Sequence, residues 1–306
     1  ASAVQIRLGT RASALARWQA DWVTARLTEL GADVELVPIT TTGDRRQDPI
    51  AAGSAVGVFT REIQRALLDN RIDLAVHSLK DLPTEPVPGL SLSAVPQRGP
   101  VADVLVSDRW PSLEKLPHGA AVDTGSLRRR SQLAHARPDL VMKDIRGNVD
   151  TRLAKLARGD FDAIVLAEAG LRRLGLDDHI AQLLPDSIML PAIGQGALGL
   201  ETRSDDETAR AALAPLDHLA THAAVLAERA MLTALEGGCL APVAALGRME
   251  DGALELTGRV LSADGKERIE AADTAPATDA EALGRRVAQR LIDQGAADLI
   301  RVSRNR

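Results

Sequence analysis

The sequence predicts an α/β protein that closes with a smaller α+β domain. Three observations carry this. Strand-like and helix-like segments alternate over the first ~200 residues. A proline-rich stretch, Pro83 to Pro100, breaks the alternation once. After Leu216 the pattern changes to one long helix, short strands with hairpin turns, and a closing helix.

In order, Val4–Leu8 is a strand. Ser13 follows as the N-cap of a helix reaching Leu30, because its hydroxyl can accept from a free first-turn N–H. Val34–Ile39 is the second strand and Thr40–Asp44 a polar turn. Phe59–Leu68 is helical and Asp73–Leu79 a buried strand. The chain crosses to a second α/β unit at Pro100–Asp103. There the strands are Ala120–Val122, Val141–Ile145 and Asp162–Leu166, with helices starting near Ser126, Val149 and Glu168. Leu190–Gly199, with Pro191, Gly194 and Gly196, is a return hinge. The helix His222–Leu235 leads into Gly237–Gly238–Cys239. Asp251–Gly252 and Asp264–Gly265 mark hairpins, and a helix from Asp279 to Gln294 closes the chain. The expected domains are 1–98 with 197–215, then 102–191, then 218–306.

Composition narrows the function. The chain has 306 residues, 45% of them hydrophobic, enough for a core in each of two or three domains. Aromatics make up 2% and Tyr is absent, which argues against base-stacking platforms. A net charge of −5 and a pI of 5.8 argue against a general nucleic-acid binder. The single Cys rules out an internal disulfide and a thiolate zinc cluster. Ala1–Leu8 does not read as a signal peptide, and no apolar run approaches the ~20 residues of a membrane span. A cytosolic protein without membrane or nucleic-acid partners is expected.

Against this acidic background, 124–158 is strongly basic. It holds Arg128, Arg129, Arg130, Arg137, Lys143, Arg146, Arg152, Lys155 and Arg158 against Asp139, Asp144 and Asp150. Arg128 and Arg129 follow a strand and the turn Thr124–Gly125–Ser126. Arg146 ends the next strand, Arg152 opens the next helix, and Arg172 and Arg173 follow a third strand. Ligands of open α/β sheets sit at the carboxyl ends of strands, where helix N-termini offer free N–H groups. The guanidinium fork suits carboxylates and phosphates, so a polycarboxylate or polyphosphate ligand is implied. Arg130, Arg137 and Arg158 read as solvated helix-face residues instead.

Three smaller signals remain. His77–Ser78–Leu79–Lys80–Asp81–Leu82–Pro83 ends a strand in a Lys–Asp pair. That pair suits proton handling or cation stabilisation, or it is a plain surface pair. His77 packs within the strand. Cys239 after two glycines is either a small buried hydrophobe or an attachment point on a loop. Gly9–Thr10–Arg11–Ala12–Ser13 places another basic turn before a helix. The glycine-rich Gly194–Gln195–Gly196 reads as a hinge rather than a phosphate loop, and no metal-binding helix motif or nucleophile elbow is present.

Eight segments in this order resemble the porphobilinogen deaminase family over essentially the whole chain. They are GTRASALARWQA at 9–20, TGD at 42–44, AVHSLKDLPT at 75–84, GSLRR at 125–129, RGNVDTRLAKL at 146–156, LAEAGLRRLGL at 166–176, LPAIGQGALGLE at 190–201 and AERAMLTALEGGC at 227–239. The resemblance implies two similar α/β domains of the periplasmic-binding-protein type II class, with the active cleft between them. A smaller C-terminal domain would carry the cysteine on a loop. It implies a dipyrromethane cofactor on Cys239 through a thioether, and stepwise addition of four porphobilinogen molecules to give hydroxymethylbilane. No metal is implied, and a monomer is. Asp81 matches the catalytic aspartate. Lys80, Asp81, Thr124, Ser126, Arg128, Arg129, Arg152 and Gly170 match cofactor contacts. Arg11, Ser13, Gln19, Phe59, Arg146, Arg152, Arg173 and Gln195 match substrate or chain-handling positions.

Two segments depart from the family pattern. Asp123–Thr124–Gly125–Ser126–Leu127–Arg128–Arg129 stands where the family often reads G-T-S-S-L-R-R. Gly125 therefore lacks a hydroxyl, and Asp123 adds a carboxylate beside a polyanion site. Ser54–Ala55–Val56–Gly57–Val58–Phe59 stands for G-G-K-G-L-F and lacks its lysine. A two-lobed solute-binding protein for a small polyanion would share the fold without the chemistry. A phosphoribosyl-transferring enzyme would need a pyrophosphate loop that the sequence does not display.

Overall fold

The computed structural model describes residues 3–39, 52–145, 147–237 and 241–304, with the side chains of 52–59 left aside. The described chain forms two compact units. One is 1–99 with 197–225, the other 100–196 with 226–306.

The first unit is built on β1 (Gln5–Thr10), α1 (Ala14–Glu29), β2 (Asp33–Pro38), α2 (Ala52–Leu68), β3 (Leu74–Ser78) and β4 (Leu90–Ala94). The second begins with β5 (Asp103–Val106), β6 (Ala121–Asp123), α3 (Leu127–Ala136), β7 (Val141–Lys143) and α4 (Val149–Ala157). It continues through β8 (Ala163–Ala167), α5 (Glu168–Arg173) and β9 (Ile180–Leu183). The chain then returns to the first unit as β10 (Leu198–Arg203) and α6 (Glu207–Leu213).

Both sheets have five strands and one strand order. The first runs β2-β1-β3-β10-β4 and the second β7-β6-β8-β5-β9. In each, three parallel strands come first. The fourth is antiparallel to its neighbours and is the strand next to a crossing: β10 after the return, β5 after the departure. This shared doubly wound pattern is the type II binding-protein topology expected from the resemblance.

Helices cover both faces because the central strands are apolar on both. Along β5 and β8, Leu105, Ala163 and Val165 pack with Leu133 of α3, while Val104, Val106, Ile164 and Leu166 pack with Leu156 of α4 and Leu171 of α5. That is the period-two alternation of a strand read from both sides. The first sheet does the same, with Leu8, Leu74, Val23 and Leu27 on one face and Ile63, Leu67, Ile72 and Ala75 on the other.

The remaining elements are α7 (Leu219–Ala234), β11 (Val243–Glu250), β12 (Ala253–Leu261), β13 (Arg268–Ala275), α8 (Ala280–Asp293) and α9 (Ala296–Arg304). The three strands form an antiparallel meander. Asp251 and Gly252 both take positive φ, 49° and 80°, as a tight hairpin requires. Gly284 lets α8 lie directly on α7: a Cβ there would strike the Ala227 carbonyl oxygen and the Met231 amide.

Several elements differ from expectation. β4 lies inside the proline-rich stretch, whose prolines flank it. β10 begins at Leu198, inside the expected hinge, and β5, β9 and α9 were not anticipated. The expected strand end at Leu79 is instead the start of a 3-10 turn, Leu79–Asp81. The Thr40–Asp44 turn lies outside the described residues.

Glu228 of α7 ties this last sheet to the return segment. Its carboxylate is buried and accepts from the Gly194 N–H at 2.7 Å and the Gly247 N–H at 2.8 Å. Glu228→Ala orphans two buried donors, each costing ~1–3 kcal/mol. Urea unfolding should show a loss of about 3 kcal/mol; a loss under about 0.5 kcal/mol would contradict this tie.

Candidate active site

In the first unit, β1 and β3 are parallel neighbours, so their carboxyl ends share one sheet edge. Arg11 and Ser13 follow β1, and Lys80 and Asp81 follow β3. Ser13 caps α1, its Oγ accepting from Ala16 N–H at 3.3 Å. Gln19 is buried on α1 and donates to Ser78 Oγ at 2.7 Å, fastening the helix to the end of β3. The turn carrying Lys80 and Asp81 is held by Leu79 N–H on the Ala197 carbonyl and Leu82 N–H on the Leu79 carbonyl. Asp81 is exposed and Lys80 half-buried. Behind them His77 lies in the core, with Nε2 2.9 Å from Glu201 Oε2, while Gln64 donates to Glu201 Oε1 at 3.0 Å.

In the second unit, the parallel strands β7, β6 and β8 deliver their following turns to one edge. Ser126 caps α3 by accepting from Arg129 N–H, and Thr124 Oγ1 braces the turn, accepting from Ser126 N–H at 3.2 Å. Asn148 caps α4, accepting from Thr151 N–H at 2.9 Å. Arg152 of α4 donates through Nε to the Gly147 carbonyl at 3.0 Å. Gly170 is half-buried in α5, and Arg173 donates to the Gly196 carbonyl at 2.9 Å.

The organising residue of this edge is Asp103, which the sequence reading missed. β5 runs antiparallel to β8, so its first residue pairs with Ala167 at the carboxyl edge. Asp103 is wholly buried. It accepts from Arg128 Nη1 at 2.8 Å, Arg129 Nη2 at 2.8 Å and Gln195 Nε2 at 3.0 Å. Burial opposes its charge, but the two guanidiniums overcome this and hold its carboxyl well below the usual range. An acid inside the apolar run Val101–Val106 is the signal that could have revealed it. Arg128 and Arg129 are therefore buried and already paired. Gln195, expected to face substrate, is an interior residue that also donates to the Val101 carbonyl at 2.8 Å. Arg137, expected on a solvated face, instead anchors Asp139 and the carbonyls of Leu113 and Leu116. Arg158 is exposed and pairs with Asp160, and Arg130 is half-buried on the Met142 carbonyl.

Cys239 and Arg146 lie outside the described residues, as does the side chain of Phe59. A groove of about 310 Å³ in the second unit is lined by Asp186, Arg248, Arg259 and Glu270, among others. Its arginines are paired, Arg248 with Asp186 and Arg259 and Arg268 with Glu270, and it includes none of the strand-end residues.

The sequence pattern of the porphobilinogen deaminase dipyromethane cofactor binding domain matches residues 6–211, and that of the porphobilinogen deaminase C-terminal domain matches 222–293. The chain belongs to the porphobilinogen deaminase family. Both family domains are present in order, and the first is the one that binds the dipyrromethane cofactor. The chain thus carries the family's transferase function in porphyrin biosynthesis. Solved structures that resemble parts of it include protein PG110 from Staphylococcus aureus, 14% identical over 70% of this chain and 86% of that one, TM-score 0.41. The Bordetella pertussis BvgS periplasmic VFT2 domain is 17% identical over 69% and 85%, TM-score 0.40. A nutrient binding protein from Burkholderia cenocepacia bound to methionine is 14% identical over 66% and 86%, TM-score 0.40. The fold assignment rests on the strand order above. No helix among the described residues is long and apolar enough to cross a membrane.

The donor chemistry of the second unit fits a porphobilinogen deaminase's carboxylate-rich cofactor. Burial depresses the pKa of both Arg152 and Arg173. Each is a desolvated cation that an added carboxylate would stabilise, and Arg152 lies in the first turn of α4, where the helix N-terminus favours anions.

Asp103→Ala leaves two buried guanidiniums without a counter-charge, and guanidinium chloride unfolding should show a loss of roughly 3–5 kcal/mol. Because the folded pKa of Asp103 is depressed, its contribution is complete above the ordinary aspartate value near ~4 and fades as pH falls below it. Asp103→Asn should flatten this acid limb. An unchanged limb would contradict the assignment.

Proposed function

We propose that the chain is a hydroxymethylbilane synthase that deaminates four porphobilinogen molecules and joins them head to tail on a covalent primer. The observation that supports this most is the match to both family domains, over 6–211 and 222–293. When bound through a thioether to Cys239, the dipyrromethane supplies the ring position on which units are added.

The chain's own residues then divide into two roles. Asp81 stabilises the positive charge that develops at pyrrole nitrogen as ammonia leaves, and it accepts and returns the proton. Its exposed place on the turn after β3, held from behind by Leu79, suits this work. Lys80, Thr124, Ser126, Arg128, Arg129, Arg152 and Gly170 form the cofactor side. Arg11, Ser13, Phe59, Arg146 and Arg173 handle the incoming and growing carboxylates. Gln19 and Gln195 act here by fixing Ser78 and Asp103. We take 102–191 and 218–306 as separate domains, most of both lying in the second compact unit while 218–225 groups with the first, and the protein as a cytoplasmic monomer.

The purified protein should be heavier than its sequence mass by one dipyrromethane. Cys239→Ser should lack the adduct and the activity, and should melt at a lower temperature, because a ligand held only by the native state stabilises it. Bare mass in protein that converts porphobilinogen normally would refute the covalent primer. Asp81→Ala should keep its thermal midpoint while turnover falls at least ~100-fold. Steady-state kinetics with near-normal turnover would remove Asp81 from the chemistry.

A further inference from the structure

Five carboxylates are buried among the described residues, and four of them have donors. Asp103 accepts from Arg128, Arg129 and Gln195. Glu168 accepts from Arg172, Glu201 from Gln64, and Glu228 from two backbone amides. Asp123 is the exception. It is 0% exposed, and neither of its oxygens has a hydrogen-bond partner among the described residues. An unpaired buried carboxylate is costly, and such groups concentrate at working sites.

Its position is a working one. Asp123 is the last residue of β6, at the carboxyl edge that presents Thr124, Ser126 and Arg152. Arg152 of α4 is the cation that most favours its charge, followed by Arg129 of α3; the Ile145 backbone amide, outside strict hydrogen-bond geometry, helps weakly, and Asp144 after β7 opposes it. Its register partner on β7, Lys143, is exposed, and its partner on β8, Ile164, is apolar. Burial outweighs all of these and pushes the pKa up to about 6. Arg129 is already committed to Asp103. Among the described residues Arg152 has no such fixed acid: its hydrogen bond there is to the Gly147 carbonyl, and Asp123 is the anion that favours its charge.

A ligand carboxylate arriving at Arg152 therefore competes with Asp123 for one guanidinium. A second carboxylate at one desolvated cation disfavours ionisation of the first. A ligand carboxylate at Arg152 would keep access to solvent, whereas Asp123 is buried, so Asp123 would be the one to be neutralised. We propose that Asp123 is a proton-linked placeholder at Arg152, ionised as its counter-ion when the pocket is empty and protonated when a cofactor carboxylate docks there. One proton passes from solvent to an Asp123 oxygen, one O–H bond forms, and nothing is oxidised or reduced. The proposal rests on the reading that the dipyrromethane is held on this arginine side.

The test is a carbon-13 NMR titration of the side-chain carboxyls, on protein as purified and on Cys239→Ser. The Asp123 resonance is assigned by its loss in Asp123→Asn, or in Asp123→Gly if the first variant fails to fold. The mass of each sample is read in parallel. The expected result is a primer-bearing mass in the purified protein and an Asp123 midpoint higher than in Cys239→Ser by about one pH unit, a tenfold gain in proton affinity. The thermal midpoint of the primer-bearing protein should also fall as pH rises from 6 to 8, and this slope should flatten in the neutral variant. A primer-bearing mass with equal midpoints in the two proteins overturns the proposal alone. A bare mass in the purified protein overturns the functional reading and the proposal with it.

Discussion

One buried carboxylate, Asp103, organises the second unit. Two guanidiniums share it, so the cluster keeps a net positive charge inside the protein. Such a cluster is not a cheap source of stability, since desolvating three charges offsets much of their attraction. What it provides is placement. Arg128 and Arg129 lie in the first turn of α3, so fixing them fixes the helix N-terminus, its Ser126 cap and the turn from Asp123. The donors at that edge are oriented before any ligand arrives, which is where electrostatic binding gains most.

The bracing continues into the last sheet. Gln132, one turn along α3, donates to the carbonyls of Arg128 and Leu190, and its Oε1 accepts from Leu190 N–H and from Arg259 of β12. Arg259 is almost fully buried and is itself held by Glu270 of β13. A continuous polar network thus runs from the meander of β11–β13 to the helix that carries the paired arginines. Buried networks of this kind are rigid only when every member is satisfied, and each of these side chains has its partners. The first unit reaches placement differently. Its candidate acid sits on an exposed turn, and the rigidity lies behind it in Glu201, His77 and Gln64.

Local signals were legible in the sequence. The caps at Ser13 and Ser126, the Asp251–Gly252 hairpin and the helix starts near Val149 and Glu168 depend on a few adjacent residues, and they stand where the residues place them. Strands that exist only because of distant partners were not. β10, whose first two residues fall in the expected hinge, was not legible because Leu198–Arg203 becomes a strand by pairing with Ser78 and Ala94, which lie more than 100 residues earlier. β4 hid behind its flanking prolines although Leu90–Ala94 alternates. The candidate site divided the same way. The excess of arginine at strand ends was visible, but its neutralisation by Asp103 was not, because that pairing needs β5 to run antiparallel to β8. Arg128 and Arg129 consequently read as freer than they are, and Gln195 as more exposed than it is.

The same geometry explains why the return crossing is sharply defined. Upstream, every residue of Gly194–Gly196 is fastened within the second unit: Gly194 N–H to Glu228, Gln195 to Asp103 and Val101, and the Gly196 carbonyl to Arg173. Downstream, the Ala197 carbonyl is fastened within the first unit by Leu79 N–H, and β10 follows at once. The crossing is confined to the single step from Gly196 to Ala197, with Gly194 and Gly196 at φ 73° and 81° supplying the turns that other residues rarely adopt. Both anchors adjoin candidate site residues. Arg173 is itself one, and Leu79 immediately precedes Lys80 and Asp81. The segment that joins the units is therefore built into the supports of the groups proposed to bind on one side and react on the other. Truncating Glu228 would loosen this segment on the second unit's side, at Gly194, without touching the candidate site residues themselves.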